Sequence, residues 1–280
     1  MLHPPYKRYD HLYVYHLDKI DLPEPDSPEL IGVWIEDDTT VLFFHQAQEE
    51  LVARICQEHS CAIIYQADLS YEEWEAGQQI TTFSVGSFTV APVWESGEAD
   101  IVLDPSVIFG SGFHPTTRTC LSLVDKYVKT PELAINSMLD LGTGTGLLSI
   151  AAAKHGVGQV VAVDNNPLAC QVAESNARRN KVAGQIRVEQ ADLRLNPPTT
   201  AGFDLVVANL YRGLLEEMFA SPDFWQANLY ILSGFIRSME AELLAALPAQ
   251  KVKFLERTRT ENWCLWVVAP NNSKFMGDYS

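Results

Sequence analysis

Three glycines at alternating positions follow a short apolar segment and form the most distinctive chemical feature of the sequence. The segment M-L-D-L at 138–141 predicts a buried strand, which breaks into the turn G-T-G-T-G at 142–146. A helix predicted over 147–155 begins directly after this turn, so free N–H groups are available there to a ligand. Twenty-two positions after Gly142, a second apolar strand ends in Asp164, whose carboxylate is placed to accept both hydroxyls of a ribose. The combination indicates a cofactor that contains a nucleoside.

The spacing of these glycines favours one class of cofactor. The dinucleotide fingerprint places its third glycine at the position that Leu147 occupies here, whereas this chain has Gly146. The pattern G-x-G-x-G is typical of S-adenosylmethionine-dependent methyltransferases, which share the doubly wound architecture. We therefore predict that Gly142, Gly144 and Asp164 bind S-adenosyl-L-methionine. An ordinary glycine turn in an α/β sheet and a nicotinamide dehydrogenase are the alternatives.

Polar residues at the ends of two further predicted strands extend this candidate site, because ligands of such sheets bind beyond the carboxyl ends of the strands. Asp192 follows the strand at 185–190 and is a candidate acceptor for an adenine amino group, or else a surface turn residue. Asn209 follows the apolar strand at 203–208, and its amide needs a partner there. We predict that Asn209 contacts the cofactor or the substrate, with a capping role as the alternative.

Strand and helix patterns alternate regularly beyond residue 136, which predicts right-handed βαβ crossovers and a parallel sheet. Helices are expected after the first, second and fourth of four strands, which are predicted at 138–142, 160–164, 185–190 and 203–208. Further elements are predicted as a strand at 229–233, a helix at 236–246, and strands at 251–257 and 263–268. The short turn between the last two strands requires one of them to run antiparallel. The expected fold is α/β, a Rossmann-like class I methyltransferase with a doubly wound sheet.

The first part of the chain predicts a separate, small α+β domain over residues 1–67. Its expected elements are strands at 11–18, 31–36, 40–45 and 61–65 and an amphipathic helix at 46–58. A polar segment at 68–82 predicts a linker, in which Trp74 contacts one of the domains or lies at a solvent-facing hinge. Residues 83–280 form the predicted methyltransferase domain, which begins with a strand or hairpin at 83–94.

The negative charge of the chain is concentrated in its first third. Residues 1–100 contain 4 Lys and Arg against 19 Asp and Glu, a net charge of −15, out of −16 for all 280 residues. Such a surface repels phosphate backbones, so we expect no direct nucleic-acid binding. It attracts a basic partner, for which a large-subunit ribosomal protein is a candidate. Solubility alone is the alternative explanation.

Composition also bears on location and on metal binding. The sequence contains no apolar run long enough to span a bilayer, and the first residues lack the apolar core of a signal peptide. We therefore expect a cytoplasmic protein without membrane contact. Five cysteines, none in a C-x-x-C pair, argue against a disulfide framework or a zinc site, so no metal is expected.

A second glycine-rich segment occupies residues 108–119 and precedes a helix predicted over 116–129, with Thr116 or Thr117 near the helix start as a candidate N-cap. It contains F-G-S-G-F-H-P-T-T, and D-L-G-T-G-T-G, V-D-N-N-P and V-V-A-N-L follow it along the chain. Together these motifs resemble the bacterial ribosomal protein L11 methyltransferase family over roughly residues 68–280. L-S-G at 232–234 and E-N-W-C at 261–264 are further matches.

The resemblance implies an activity and a set of site residues. Thr117, Gly142, Asp164 and Asn209 match the family's cofactor-binding positions. The family joins a Rossmann-like methyltransferase domain to a small N-terminal domain, which captures the ribosomal protein through a flexible linker. Lysine side chains and the N-terminal amine are the groups methylated.

This chain departs from the family pattern at two places. Ser111 and Phe113 stand where threonine is common, a difference expected to reshape the mouth of the pocket. Residues 1–67 also predict no helix after the first strand, whereas the family's recognition domain is ferredoxin-like, with interleaved helices and strands.

The expected reaction is an in-line displacement, in which an amine lone pair attacks the methyl group on sulfur. A lysine with an ordinary pKa of about 10.4 must first lose a proton. The sequence indicates no clear general base. Asn209 and backbone carbonyls would align the amine, and Tyr211 and His114 are candidate helpers, with a structural role as the alternative for His114.

Three alternatives to this function follow from the same motifs. Adenine-amino methyltransferases usually carry N-P-P-Y, whereas this chain has N-L-Y-R at 209–212, which argues against a nucleic-acid substrate. A methyltransferase of the same fold that acts on another protein or on a small molecule is the second alternative. The third option is a non-catalytic S-adenosylmethionine-binding module.

Overall fold

The computed structural model describes residues 8–36, 38–95, 97–248 and 252–276. Its first part is an antiparallel sheet with the strand order β2-β3-β1-β4. The strands are β1 (His11–Leu17), β2 (Leu30–Glu36), β3 (Thr39–Phe44) and β4 (Ile63–Ser70). Helix α1 (Glu49–His59) follows β3, and residues 18–29 between β1 and β2 form no helix, as the sequence predicts.

The predicted linker is folded along much of its length. Strand β4 continues to Ser70, past both the strand end predicted at 65 and the domain boundary predicted at 67. Helix α2 (Tyr71–Trp74) follows at once, because Ser70 and Glu73 form a capping box. The ring of Trp74 packs on that of Phe43 with centroids 5.3 Å apart, so this residue contacts the N-terminal sheet rather than solvent at a hinge. The functional division into domains stays a prediction.

A small sheet and a long helix connect this region to the main sheet. Strands β5 (Phe83–Val85) and β6 (Phe88–Pro92) form the predicted hairpin, and β7 (Ile101–Leu103) pairs parallel to β6. Helix α3 (Pro115–Val128) then begins one residue before the predicted range. Its N-cap is His114 rather than Thr116 or Thr117, because Pro115 suits the first helical position and has no N–H to leave unpaired.

Seven strands form the main sheet, in the order β10-β9-β8-β11-β12-β14-β13. They are β8 (Ser137–Leu141), β9 (Gln159–Asp164), β10 (Ile186–Gln190), β11 (Leu205–Asn209), β12 (Leu229–Ile236), β13 (Val252–Thr260) and β14 (Trp263–Pro270). The helices are α4 (Leu147–Lys154), α5 (Pro167–Arg179), α6 (Arg212–Ala220) and α7 (Glu240–Ala246), with short 3-10 turns at Pro131–Leu133, Pro222–Gln226, Arg237–Met239 and Lys274–Met276. The helix predicted from residue 236 begins at Glu240, because β12 and a 3-10 turn take up the residues before it.

The direction of the strands confirms the doubly wound α/β prediction. Neighbouring strands from β8 to β12 pair in parallel, whereas β14 is antiparallel to both β12 and β13. The chain builds outward from β8 through β9 to β10, and then crosses to the other side of β8 to add β11. The carboxyl ends of β8 and β11 therefore flank a topological switch point, where ligands of such sheets bind.

Helices cover both faces of the main sheet with apolar side chains. Helices α3 and α4 pack with β5–β7 on one face, and α6 and α7 pack on the other. Because such strands are buried on both faces, their sequences are continuous apolar runs, such as V-V-A-V before Asp164. Within the described ranges, no helix combines the length and apolar character needed to cross a bilayer.

The N-terminal sheet shares a hydrophobic core with the region that contains the main sheet. One sheet face packs on α1, and the opposite face contributes to a cluster that also holds α5 side chains. Gly32 of β2 lies so close to Leu168 of α5 that a Cβ there would stand 2.5 Å from the leucine side chain. Tyr9 also donates a hydrogen bond of 2.9 Å to the buried Asp104 carboxylate. These contacts fix the N-terminal sheet on α5, directly after the Asp164 strand end.

Candidate functional site

The glycine loop, residues 142–146, turns the chain from β8 into α4 through three left-handed glycines. At Gly144 the φ angle is 54°, and an added Cβ would lie 2.2 Å from the carbonyl oxygen of Phe109. No side chain fits this position, because the obstacle is backbone rather than a movable side chain. The loop therefore presents backbone without side chains, as the sequence predicts. The N–H groups of its glycines are not free for a ligand, however, because Gly142 donates to Val163 O at 2.8 Å and Gly144 donates to Asp164 Oδ2 at 2.9 Å.

Asp140 holds this loop in place through hydrogen bonds, and it is a site residue that was not predicted from the sequence. Its Oδ2 accepts hydrogen bonds from Thr143 Oγ1 at 2.8 Å and from Ser149 Oγ at 2.7 Å. Burial raises the pKa of Asp140 to about 6, while these hydroxyl groups act in the opposite direction. An acidic residue inside an otherwise apolar predicted strand is the sequence signal that points to such a brace.

Asp164 lies at the end of β9, the strand next to the glycine loop. Its Oδ2 accepts from the Gly144 N–H at 2.9 Å, and its Oδ1 accepts from the Asn166 N–H at 3.0 Å. Burial raises the pKa of Asp164, and the backbone N–H donors lower it. A carboxylate offers about four lone-pair sites, so each oxygen retains capacity for one further hydroxyl donor.

A cavity of about 370 Å³ lies at the carboxyl ends of these strands, and we call it the strand-end cavity. It brings together four of the six predicted cofactor residues, which are Gly142, Asp164, Asp192 and Asn209. Its lining is completed by Asn165, Leu193, Arg194, Leu210, Tyr211 and Leu214. Side chains distant along the chain thus meet at the predicted switch point, and this is the best-supported part of the candidate site.

Two of the predicted cofactor residues carry a buried polar atom that has no hydrogen-bond partner within the described residues. These atoms are Oδ1 of Asn209, at the end of β11, and Oγ1 of Thr117, on α3. Thr117 is 2 % exposed and lies outside the lining of the strand-end cavity, on a helix that packs against β11. Buried polar groups are normally paired, so each orphan acceptor calls for a ligand atom or an ordered water.

Asp192 and Tyr211 face the cavity from opposite loops. Asp192 Oδ1 accepts from the Arg194 N–H at 2.8 Å, which is the turn role that the sequence left open, yet the residue also lines the cavity. The guanidinium of Arg194 donates to the Tyr211 hydroxyl and lies 5.7 Å from that ring's centroid. This contact joins the loops after β10 and β11. It was not predicted from the sequence, because no local sequence pattern connects the two residues.

The covering loop, residues 108–114, is the first part of the second glycine-rich segment. It lies over the glycine loop and is hydrogen-bonded to it. Phe109 O accepts from the Thr145 N–H at 3.1 Å, and Gly110 O accepts from Thr145 Oγ1 at 2.7 Å. His114 Nδ1 accepts from the Thr116 N–H, and burial lowers the pKa of this imidazole. The geometry therefore favours a structural role for His114 over a role as a helper in the reaction.

A second, larger cavity of about 680 Å³ lies on the outer side of the covering loop, and we call it the interdomain cleft. Aromatic side chains of the N-terminal sheet and the linker, Trp34 and Trp74, form one part of its lining. Phe109 and Phe113 of the covering loop form another. Sequence reasoning did not identify this cleft, because its walls come from segments that only tertiary packing brings together.

Comparisons with known proteins agree with this geometry. A sequence profile of the ribosomal protein L11 methyltransferase family matches residues 24–270. A ribosomal protein L11 methyltransferase of Chloroflexus aurantiacus is 32% identical over 274 residues, which cover 86% of this chain and 82% of the relative. One from Pelotomaculum thermopropionicum is 39% identical over 181 residues, covering 62% of this chain and 57% of the relative.

A solved structure shares the fold. The ribosomal protein L11 methylase of Lactobacillus delbrueckii subsp. bulgaricus superposes with a TM-score of 0.59 at 24% identity, over 68% of this chain and 98% of that one. The motif-based resemblance is thus confirmed by a match over most of the chain, and the fold by the superposition. The chain belongs to the ribosomal protein L11 methyltransferase family.

Proposed function

We propose that this protein transfers methyl groups from S-adenosyl-L-methionine to amine nitrogens of ribosomal protein L11. The relatives carry that substrate in their names. The observation that carries the proposal is the strand-end cavity, which combines bare glycine-loop backbone, the Asp164 carboxylate and the unpartnered Asn209 Oδ1. Lysine side chains and the N-terminal amine are the acceptor groups.

The residues at the site fit this cofactor. Asp164 would bind its ribose hydroxyls, and Asp192 its adenine amino group. The N–H groups of Gly142 and Gly144 are already bonded to Val163 O at 2.8 Å and to Asp164 Oδ2 at 2.9 Å. These glycines would therefore border the cofactor with backbone that carries no side chain, rather than donate to its carboxylate end. The orphan hydroxyl of Thr117 would find a partner in the cofactor or in a water beside it. When bound, S-adenosyl-L-methionine supplies a methyl group on a positively charged sulfur, which transfers to a nucleophile.

The protein's own contribution is orientation and exclusion of water. Asn209 Oδ1 is buried and free to accept a hydrogen bond from an incoming amine, which leaves the nitrogen lone pair directed away from the amide. His114 is assigned to structure, since its Nδ1 is bonded to Thr116 and its ring lies between Phe109 and Trp263. With His114 assigned to structure, we expect the amine to reach Asn209 already deprotonated.

We assign recognition of the ribosomal protein to the acidic N-terminal domain, residues 1–67. Its charge favours a basic protein over a nucleic acid, and its packing on α5 holds it beside the strand ends. The reaction then takes place in the cytoplasm, with no nucleic-acid or membrane contact of this chain's own.

The test is a methyl-transfer assay with the purified full chain, labelled S-adenosyl-L-methionine and recombinant L11. Label on L11, mapped by mass spectrometry to lysine and N-terminal nitrogens, is the expected result. A parallel assay with deproteinised ribosomal RNA should give no label. Label in the RNA alone would overturn the proposal, and absence of label from both would support a non-catalytic binding module.

A further inference from the structure

The interdomain cleft contains carboxylates among aromatic walls and has no role in the proposed chemistry so far. Glu75, from the linker, and Glu261, from the turn between β13 and β14, line it together with Trp34 and Trp74. The Trp34 indole N–H is buried and has no hydrogen-bond partner within the described residues. The cleft is therefore an acidic, aromatic cavity with an unused donor, at the junction of the two regions.

Glu75 is the more constrained of the two carboxylates. Its Oε2 accepts from Ser111 Oγ at 3.0 Å. Its Oε1 lies 3.4 Å from the Tyr71 hydroxyl, which donates its proton to Ser106 O at 2.5 Å. Burial raises the pKa of Glu75, while these two hydroxyls lower it. No salt bridge engages this carboxylate in the part of the chain that the structure describes, so its charge is compensated only by neutral donors.

Ser111 connects Glu75 to the covering loop, which in turn contacts the glycine loop. It stands in the covering loop. Its neighbour Gly110 accepts a hydrogen bond from Thr145 of the glycine loop at 2.7 Å. Only the covering loop therefore lies between the glycine loop and a ligand that binds Glu75 in the cleft.

We propose that the interdomain cleft binds a lysine or arginine side chain of the substrate protein, with the Glu75 carboxylate as its acceptor. The tryptophan rings would pack against the aliphatic stem and the cationic head of that side chain. The inference rests on the proposed function, because a basic protein is the substrate there. It makes Glu75 a specificity-determining residue that acts through substrate binding rather than through the chemical step.

The charges around the cleft favour a cation over an anion. Arg118 is the one arginine or lysine in the lining, and its guanidinium is already engaged. It lies 4.7 Å from the ring centroid of Phe83 and 4.9 Å from that of Phe113, and its Nε donates to Gly112 O at 2.8 Å. These partners are neutral, so the guanidinium keeps its charge. Two carboxylates against one guanidinium still leave the lining with a net charge of −1, which favours a cation.

The main experiment compares steady-state methylation of L11 by the wild-type chain, Glu75→Gln and Ser111→Ala. Glutamine removes the charge but retains an oxygen that accepts from Ser111, whereas alanine at 111 removes the bond but retains the charge. We expect Glu75→Gln to raise KM for L11 about tenfold or more, with kcat changed less than threefold. Ser111→Ala should change KM less than threefold. Equal KM values for the wild-type chain and Glu75→Gln would overturn the inference while leaving the proposed function intact.

A matched control and a binding measurement complete the test. Glu72 is an exposed carboxylate on the same short helix, and Glu72→Gln should leave KM unchanged. Quenching of tryptophan fluorescence by a lysine-rich peptide reports on the cleft even if L11 is not methylated. Binding that weakens about tenfold in Glu75→Gln, but not in Glu72→Gln, supports the inference. Equal binding by both variants, or quenching by an RNA oligonucleotide and not by the peptide, would refute it.

Discussion

The carboxylate of Asp164 accepts a hydrogen bond from the backbone N–H of Gly144 at 2.9 Å. The glycine loop and the Asp164 carboxylate, which are both predicted to bind one cofactor, are therefore joined to each other. Asp140 holds the same loop from below through Thr143 and Ser149. A carboxylate fixed by two backbone donors loses little freedom when it binds a ribose, so the site is preorganised.

Replacement of Asp164 should weaken cofactor binding more than replacement of any other carboxylate at the strand-end cavity. Two charge-assisted hydrogen bonds to ribose hydroxyls together contribute about 2–4 kcal/mol, so Asp164→Ala should weaken binding about 30- to 1000-fold. Isothermal titration with S-adenosylhomocysteine measures this change. Asp192→Asn is the comparison, with an expected loss below about tenfold. Unchanged affinity in Asp164→Ala would show that the ribose contact is misassigned.

Gly144→Ala should disrupt the glycine loop, because its Cβ would lie 2.2 Å from Phe109 O and its φ angle is 54°. We expect a loss of about 2 kcal/mol or more, which corresponds to a fall in Tm of about 4–8 °C for a protein of this size, together with loss of cofactor binding. Gly158→Ala is the matched control, since an added Cβ there meets nothing within 4 Å. Thermal unfolding of both variants, without ligand and with S-adenosylhomocysteine, checks the prediction. Similar Tm values for the two would contradict it.

Local pattern was sufficient to predict the doubly wound sheet and the edge of it at which four of the six predicted cofactor residues meet. The glycine turn, Asp164 and Asn209 each follow an apolar strand, and the ends of parallel strands necessarily meet at one edge. The same reasoning located Asp192, whose side chain lines the cavity as predicted and also makes the turn contact kept as the alternative.

The features that sequence reasoning missed depend on packing between distant segments. Strand β4 continues to Ser70 because it pairs along β1, and no local signal marks where that pairing ends. Glu75 lies 36 positions before Ser111, and their hydrogen bond exists only because the linker packs beside the covering loop. Arg194 and Tyr211 likewise meet across two loops.

Glu240 should contribute stability that depends on pH. It is 6 % exposed, and its carboxylate accepts from Arg257 at 2.8 Å, from Arg259 at 2.6 Å and from the Trp266 indole N–H at 3.0 Å. Burial opposes ionisation, but these donors prevail and hold the pKa of Glu240 at about 2. Because this pKa lies below the value of about 4.3 in an unfolded chain, the contribution is complete above pH 4.3 and is lost as the pH falls towards 2.

Urea unfolding of Glu240→Gln checks this dependence. We expect a loss of about 1–3 kcal/mol in the free energy of unfolding at pH 7, shrinking towards zero near pH 2. Glu174→Gln is the control, because the exposed Glu174–Arg178 pair contributes about 0.5 kcal/mol or less. A loss in Glu240→Gln that is the same at both pH values would show that the carboxylate charge is not the cause.

Removal of the two unpartnered atoms, Thr117 Oγ1 and Asn209 Oδ1, should affect stability and activity differently. An unpaired buried acceptor destabilises the fold by about 1–3 kcal/mol, so Thr117→Val, which preserves side-chain shape, should keep or raise Tm in the absence of ligand. The same change should weaken S-adenosylhomocysteine binding, since the ligand loses its hydroxyl partner. Asn209→Ala should instead lower kcat about 100-fold, because the amine is no longer aligned. Differential scanning calorimetry and single-turnover methylation of L11 measure the two effects. A fall in Tm of several degrees in Thr117→Val, with ligand affinity unchanged, would mean that its hydroxyl has a structural partner and belongs to the fold rather than to the site.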